Sequence, residues 1–172
     1  MLDRQPFLSS DLLVLRPLRP NDFEALYAVA KDPLIWAQHP EPTRYQRGIF
    51  EIFFRTALSC AGALVAIDPA DNKIIGSSRF DHYKEERCEV EIGWTFLSRS
   101  HWGGKYNGEM KRLMLEYAFG CVQTVLFVIG SRNLRSRRAV EKIGGRSRSF
   151  STLSFDVEKV VYEITRDRYA PP

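Results

Sequence analysis

The sequence predicts one α/β domain over residues 1–172, with a mixed, mostly antiparallel central sheet of about seven strands flanked by about four helices. Three observations carry that expectation. Apolar periodicity changes from helical to strand-like near residue 60, three strand-type segments then follow at hairpin spacing, and beyond residue 98 helix and strand patterns alternate. With 44% apolar and 12% aromatic residues in 172, the chain has enough apolar surface for one core.

In chain order, Leu12-Leu13-Val14-Leu15-Arg16 is a short apolar run stopped by Pro17 and reads as a strand. Asn21 or Asp22 then caps a helix with Phe23, Leu26, Tyr27 and Ala30 on one face. Pro33, Pro40 and Pro42 break the next stretch into a loop. A second helix runs from near Tyr45 to Leu58, with Ile49, Phe50, Phe53, Phe54 and Ala57 at helical spacing. Ala63 to Asp68 and Lys73 to Phe80 are strands joined by Pro69-Ala70-Asp71-Asn72, a hairpin signal. After a turn at Asp81-His82-Tyr83, Glu89 to Leu97 completes an antiparallel meander.

A Gly-containing loop at Trp102 to Lys105 leads into a helix from about Asn107 to Phe119, whose Met110, Leu113, Met114, Tyr117 and Ala118 form a core stripe. Thr124 to Ile129 reads as a buried strand and Arg135 to Ile143 as a helix ended by Gly144-Gly145. Two strands near Ser147–Phe155 and Val160–Ile164 precede a frayed Pro171-Pro172 end. The predicted order is βααβββαβαββ.

Several function classes drop out. No run approaches the roughly 20 apolar residues of a membrane helix, and Met1 to Pro6 lack an apolar signal core, so a cytoplasmic protein with no membrane partner is expected. Cys60, Cys88 and Cys121 are odd in number without C-x-x-C spacing, and His39, His82 and His101 have no i, i+4 partner. Neither a disulfide nor a metal is expected. The net charge of +4 hides an asymmetry: residues 98–148 hold 11 basic and 3 acidic side chains, a local +8, against 14 and 18 elsewhere, a local −4. That split points to an anion handled by the second half.

Strand, then His101-Trp102-Gly103-Gly104-Lys105-Tyr106-Asn107, then helix is an arrangement that can bind phosphate through the free N–H groups and positive dipole of the first helical turn. Glycines admit close approach of the ligand and Lys105 adds charge. A Gly turn that binds nothing is the alternative. The spacing is neither a P-loop nor G-x-G-x-x-G.

Together with the element order, Glu91-Ile92-Gly93-Trp94-Thr95-Phe96-Leu97, this loop, and Asn133-Leu134-Arg135-Ser136 leading into Ala139 to Gly144 resemble a GNAT acyltransferase. The branch most similar is the ribosomal-protein-alanine N-acetyltransferase type. Leu15-Arg16-Pro17-Leu18 with Asp22-Phe23, and the segment Asp32 to Pro40, extend the resemblance from about Leu13 to Ile164. It implies acetyl-CoA as co-substrate, with the pyrophosphate on Trp102, Gly103, Gly104, Lys105, Tyr106, Asn107 and Gly108. It also implies a pantetheine arm along Phe96-Leu97, met by Asn133 and Ser136, and a possible homodimer.

The chain departs from the family pattern at three places. The usual Gln/Arg-x-x-Gly-x-Gly/Ala positions are Trp102, Lys105 and Asn107, the common Tyr seven residues after the Asn is Val140, and Arg148-Ser149-Phe150-Ser151-Thr152 replaces Glu-Gly-x-x-Arg. With no Tyr, Ser136 or water is the expected proton donor to the leaving thiolate. Attack of an amine on a thioester also needs a base, for which Glu91 is the candidate and Glu89 the reserve. Alternation puts Glu89, Glu91 and Gly93 on one strand face, the alternative being a merely solvated face. A backbone N–H near Trp94 to Phe96 is the expected oxyanion donor. Trp36, His39 and Arg79 are the candidate acceptor-site residues, with Trp36 and His39 open to purely structural roles.

The reading is therefore an acetyltransferase acting on a small-molecule or peptide amine, nucleic acid not being a primary ligand. One alternative takes Arg132, Arg135, Arg137, Arg138, Lys142, Arg146 and Arg148 as an RNA-binding surface; another is a GNAT fold that binds CoA without catalysis.

Overall fold

The computed structural model describes residues 1–152 and 158–170. Eight strands form one sheet: β1 (Leu8–Ser9), β2 (Val14–Pro17), β3 (Ala63–Asp68), β4 (Lys73–Lys84), β5 (Glu89–Leu97), β6 (Thr124–Gly130), β7 (Arg146–Thr152) and β8 (Glu158–Thr165). They lie in the order β1-β2-β3-β4-β5-β6-β8-β7. Among the described residues only β5 and β6 run parallel; the other neighbours are antiparallel. The helices are α1 (Phe23–Ala30), α2 (Pro33–Trp36), α3 (Arg47–Ser59), α4 (Lys105–Phe119) and α5 (Leu134–Lys142). The α/β expectation holds, with one more strand and one more helix than the sequence indicated.

Each sheet face carries its own apolar cluster. Met110, Met114 and Leu115 of α4 pack on Leu15, Leu64, Phe80, Val90 and Ile92. On the other cluster, Leu26 and Ala30 of α1, Trp36 of α2, and Phe50, Phe54 and Ala57 of α3 meet Val65 and Phe96. Burial of each large side chain here contributes about 1.5–3 kcal/mol.

Four local differences have physical causes. The predicted loop after α1 contains α2, because Asp32 accepts a hydrogen bond from the Leu34 N–H and Pro33 occupies the first turn, where its missing N–H costs nothing. Asp22 stands at the start of α1 without capping it: its carboxylate takes both Arg16 nitrogens at 2.7 and 2.8 Å and the Arg19 N–H. The turn placed at Asp81-His82-Tyr83 is strand, since a pairing irregularity between Asp81 and Lys84 lets His82 adopt φ +46° and carry β4 to Lys84. Finally, α4 begins at Lys105, two residues before the predicted start, with Gly104 at its N-cap. The predicted strand end at 153–155 and the frayed Pro171-Pro172 lie outside the described residues.

Two irregularities shape the sheet. Opposite Ser78 of β4, β5 places two residues, Trp94 and Thr95, and Trp94 takes φ +51°. This bulge bends β5. Pairing with β6 extends only from Glu89–Thr124 to Glu91–Leu126, after which the two strands part and the sheet opens.

Candidate active site

The opening is a cleft of about 1110 Å³ lined by both strands, from Ile92 to Leu97 of β5 and from Leu126 to Gly130 of β6. Beyond Glu91, the β5 edge that faced β6 has no strand partner, so its backbone groups are available to an extended ligand. At one end lies the start of α4. Gly103 has φ +68°, a backbone conformation that favours glycine, and Gly103, Gly104, Asn107 and Gly108 line the cleft. No side chain caps this helix, and its first N–H groups are unsatisfied within it. Trp102 lines the cleft too, its indole N–H donating to the Leu97 carbonyl at 2.9 Å and its ring carrying the Arg135 guanidinium at 4.0 Å. Two loop residues fall outside the lining: Lys105, and Tyr106, whose hydroxyl donates to Asp68 at 3.0 Å.

Across the cleft, Asn133 caps α5, its side-chain oxygen accepting the Ser136 N–H at 3.1 Å. Asn133, Ser136 and Val140 all line the opening. Phe96 and Leu97 are buried yet also reach it.

Glu91 sits where the strands part. It is only 8% exposed, so the solvated-face alternative fails for it and for Glu89 at 7%. Burial pushes the Glu91 carboxyl above its ordinary value, against the pull of His82, whose Nδ1–H donates to Oε2 at 2.8 Å. The two carboxylates differ in their partners: Glu89 is held by Arg148 at 2.6 Å, whereas Glu91 is hydrogen-bonded by a histidine that is itself mostly exposed.

The acceptor-side candidates separate. Trp36 is both core and wall: it is buried, donates its indole N–H to Ala30 at 2.7 Å, packs on Phe96 at 5.0 Å and lines the cleft. His39 lines it as well; its Nδ1 accepts the Glu41 N–H at 2.9 Å, and burial followed by the Arg44 charge lowers its pKa to about 4, so it is neutral at pH 7. Arg79 does not line the cleft. It lies beneath it, 3% exposed, with its guanidinium 4.5 Å from the Trp94 ring centre.

Three further residues at the cleft carry no clear sequence signal of a site. His82 reads as part of a turn; its place opposite the glutamates of a paired strand is the available signal. Arg44 follows a Pro-rich stretch with no periodicity. Lys111 is wholly buried, donating to Thr95 Oγ1 at 2.5 Å and Ser78 Oγ at 3.2 Å, and burial lowers its pKa to about 7. Lys111 and Leu115 sit one position beside the predicted stripe at i, i+4 spacing, which is where it could have been found. The seven-residue basic set considered as an RNA face is partly engaged internally. Arg135 donates to the Ile35 carbonyl, Arg137 to Tyr162 and Ser131, and Arg148 pairs with Glu89.

Known proteins show a consistent likeness. A model of the acetyltransferase (GNAT) domain matches residues 13–146. No curated protein matches the sequence. Among solved structures, a GNAT-family acetyltransferase from Bacillus anthracis superposes with TM-score 0.78 at 21% identity, covering 94% of this chain and 99% of that one. Spermidine N-acetyltransferase from Vibrio cholerae, in complex with CoA and spermine, gives 0.72 at 15% identity over 93% and 99%. Mycobacterium smegmatis RimJ, in complex with CoA-disulfide, gives 0.72 at 16% identity over 94% and 87%. At these identities the structural likeness is one of fold. The matched domain spans most of the chain, including the split strands and the glycine-led helix: the chain belongs to the GNAT acetyltransferase family.

Proposed function

We propose that the protein moves the acetyl group of acetyl-CoA directly to a primary amine in a ternary complex, with Glu91 as base. The observation that carries this reading is the position of Glu91, a buried carboxylate at the vertex of a cleft that ends at an uncapped helix start. Within the family, the reading is of the ribosomal-protein-alanine branch, on the motifs Leu15-Arg16-Pro17-Leu18 and Asp32 to Pro40. The cytoplasm is the proposed compartment, where the three free thiols Cys60, Cys88 and Cys121 persist.

The residues present suit CoA. Uncapped N–H groups at Gly104 to Asn107 are the proposed donors to a pyrophosphate, and a Cβ at Gly103 or Gly108 would meet nothing within 4 Å, so the loop leaves room for it. The unpaired β5 edge at Phe96-Leu97 receives the amides of the pantetheine arm, with Asn133 and Ser136 opposite. Bound there, acetyl-CoA supplies an activated thioester carbonyl. Glu91 takes a proton from the incoming ammonium so that the neutral amine attacks the carbonyl, and His82 orients the carboxylate and links it to solvent. The backbone N–H groups freed from regular pairing at the Trp94-Thr95 bulge are the proposed donors to the developing oxyanion. As the N–C bond forms and the C–S bond breaks, the second proton shed by the nitrogen is passed to the thiolate through the Ser136 hydroxyl or water, and the serine ends neutral.

Thiol release from acetyl-CoA, followed against a panel of amines and peptides beside CoA-induced thermal stabilisation, tests this. Amine-dependent release with stabilisation is expected. Stabilisation without release from any amine would instead favour a non-catalytic CoA-binding protein.

A further inference from the structure

Past Glu91, on the side of the sheet covered by α1–α3, two guanidinium groups lie among aromatic rings, that of Arg79 buried and that of Arg44 half-buried. Arg44 lines the cleft, 4.6 Å from the centre of Phe53 and 5.2 Å from that of Trp36. Arg79 lies behind, 4.5 Å from Trp94 and 5.7 Å from the same Phe53. Alternation along β4 and β5 puts Arg79 on the face of Glu91, and its register partner is Gly93, two residues away.

Among the described residues, neither arginine is fully matched. Arg44 Nε and Arg79 Nε and Nη2 are buried without a hydrogen-bond partner. The nearby acids are committed elsewhere. Asp81 approaches Arg79 at 3.5 Å but is shared with Arg4 at 3.7 Å, the exposed Glu41 carboxylate is turned to Thr43, and Glu91 is bound to His82. Arg44 Nη1 lies 3.1 Å from Nε2 of the neutral His39, and Arg44 itself is pushed down to about 10 by burial, opposed in part by the Glu41 charge and reinforced by that of Arg79. Buried charge that is only partly compensated is costly and is relieved by an incoming anion, the more so where aromatic walls exclude water.

We propose that the acceptor is a primary amine that also carries an anionic group, a carboxylate or a phosphate ester, which Arg44 grips with Arg79 positioned behind it while the amine faces Glu91. This rests on the acetyl-transfer reading. The same two cations repel a second ammonium, so polyamines are poor acceptors here although the spermidine N-acetyltransferase shares the fold.

The test compares matched acceptors by thiol release from acetyl-CoA: 4-aminobutyrate against butylamine, phosphoethanolamine against ethanolamine, and spermidine. The proposal expects kcat/KM for an anionic amine about 10–100-fold above its neutral counterpart, the size of a charge-assisted contact, with spermidine lowest. The two anionic arms distinguish carboxylate from phosphate. Arg44→Gln should erase the preference and leave CoA affinity within about twofold, while Arg44→Lys, which keeps the charge, retains part of it. Preference for spermidine or butylamine, or an anion preference that survives Arg44→Gln, would overturn the anionic acceptor and leave acetyl transfer standing. No release from any of these amines by a protein that binds CoA would overturn both.

Discussion

Glu91 and Lys111 bracket the bulge of β5 from opposite faces, and each is buried where its charged form is disfavoured. The hydrogen bond from His82 opposes that burial at Glu91, so its removal leaves the carboxyl harder to ionise. In His82→Ala the acid limb of the pH profile of kcat/KM should move to higher pH; an unmoved limb would show that Glu91 does not titrate in the rate. Lys111 affects stability rather than turnover. Its folded value of about 7 lies below the ordinary 10.5, so unfolding takes up a proton between those pH values and stability from this group rises across that window. Denaturant titrations from pH 7 to pH 10 should show that rise in the wild type and a flatter profile in Lys111→Met. Equal slopes would mean that Lys111 is charged in the fold.

At the scale of elements, the cofactor side of the cleft depends on where α4 begins. A Cβ added at Gly104 would stand in open space, the nearest atom being the Trp102 carbonyl oxygen at 4.0 Å, so Gly104→Val should fold normally. The added methyl groups stand over the helix start, and CoA affinity measured by calorimetry should fall about tenfold or more, in line with lost backbone contacts to phosphate. Unchanged affinity would put the phosphates elsewhere. This helix, the β3–β4–β5 meander and the two-helix opening were all legible in the sequence, because each rests on local periodicity and turn chemistry. The β5–β6 split was not, since it follows from where a parallel pairing stops, three residues after it starts. His82 and Arg44 escaped for the same reason. One owes its place to a pairing irregularity, the other to aromatic rings contributed by α2 and α3. Glu91 and Glu89 were legible as a pair, while only tertiary contacts distinguish them: Arg148 of β7 holds one and not the other.

Over the whole molecule, the basic second half supplies the loop, α4 and α5 on the proposed CoA side of the cleft, and the first half supplies Glu91, but the proposed acceptor side also has Arg44 and Arg79, which a sum over the segment concealed. A ligand that spans β5, β6, α4 and α5 binds only the folded state and stabilises it by mass action. CoA at a hundred times its Kd should raise Tm by about 5–10 °C for a domain of this size, and no shift would argue against a CoA site here. The central claim is that the carboxylate at the vertex of the split strands performs the proton transfer. The most direct measurement is steady-state turnover of Glu91→Gln beside its CoA affinity. The account predicts kcat lower by about 10²–10⁴-fold with CoA affinity within about twofold. Near-normal kcat across the pH range would contradict it.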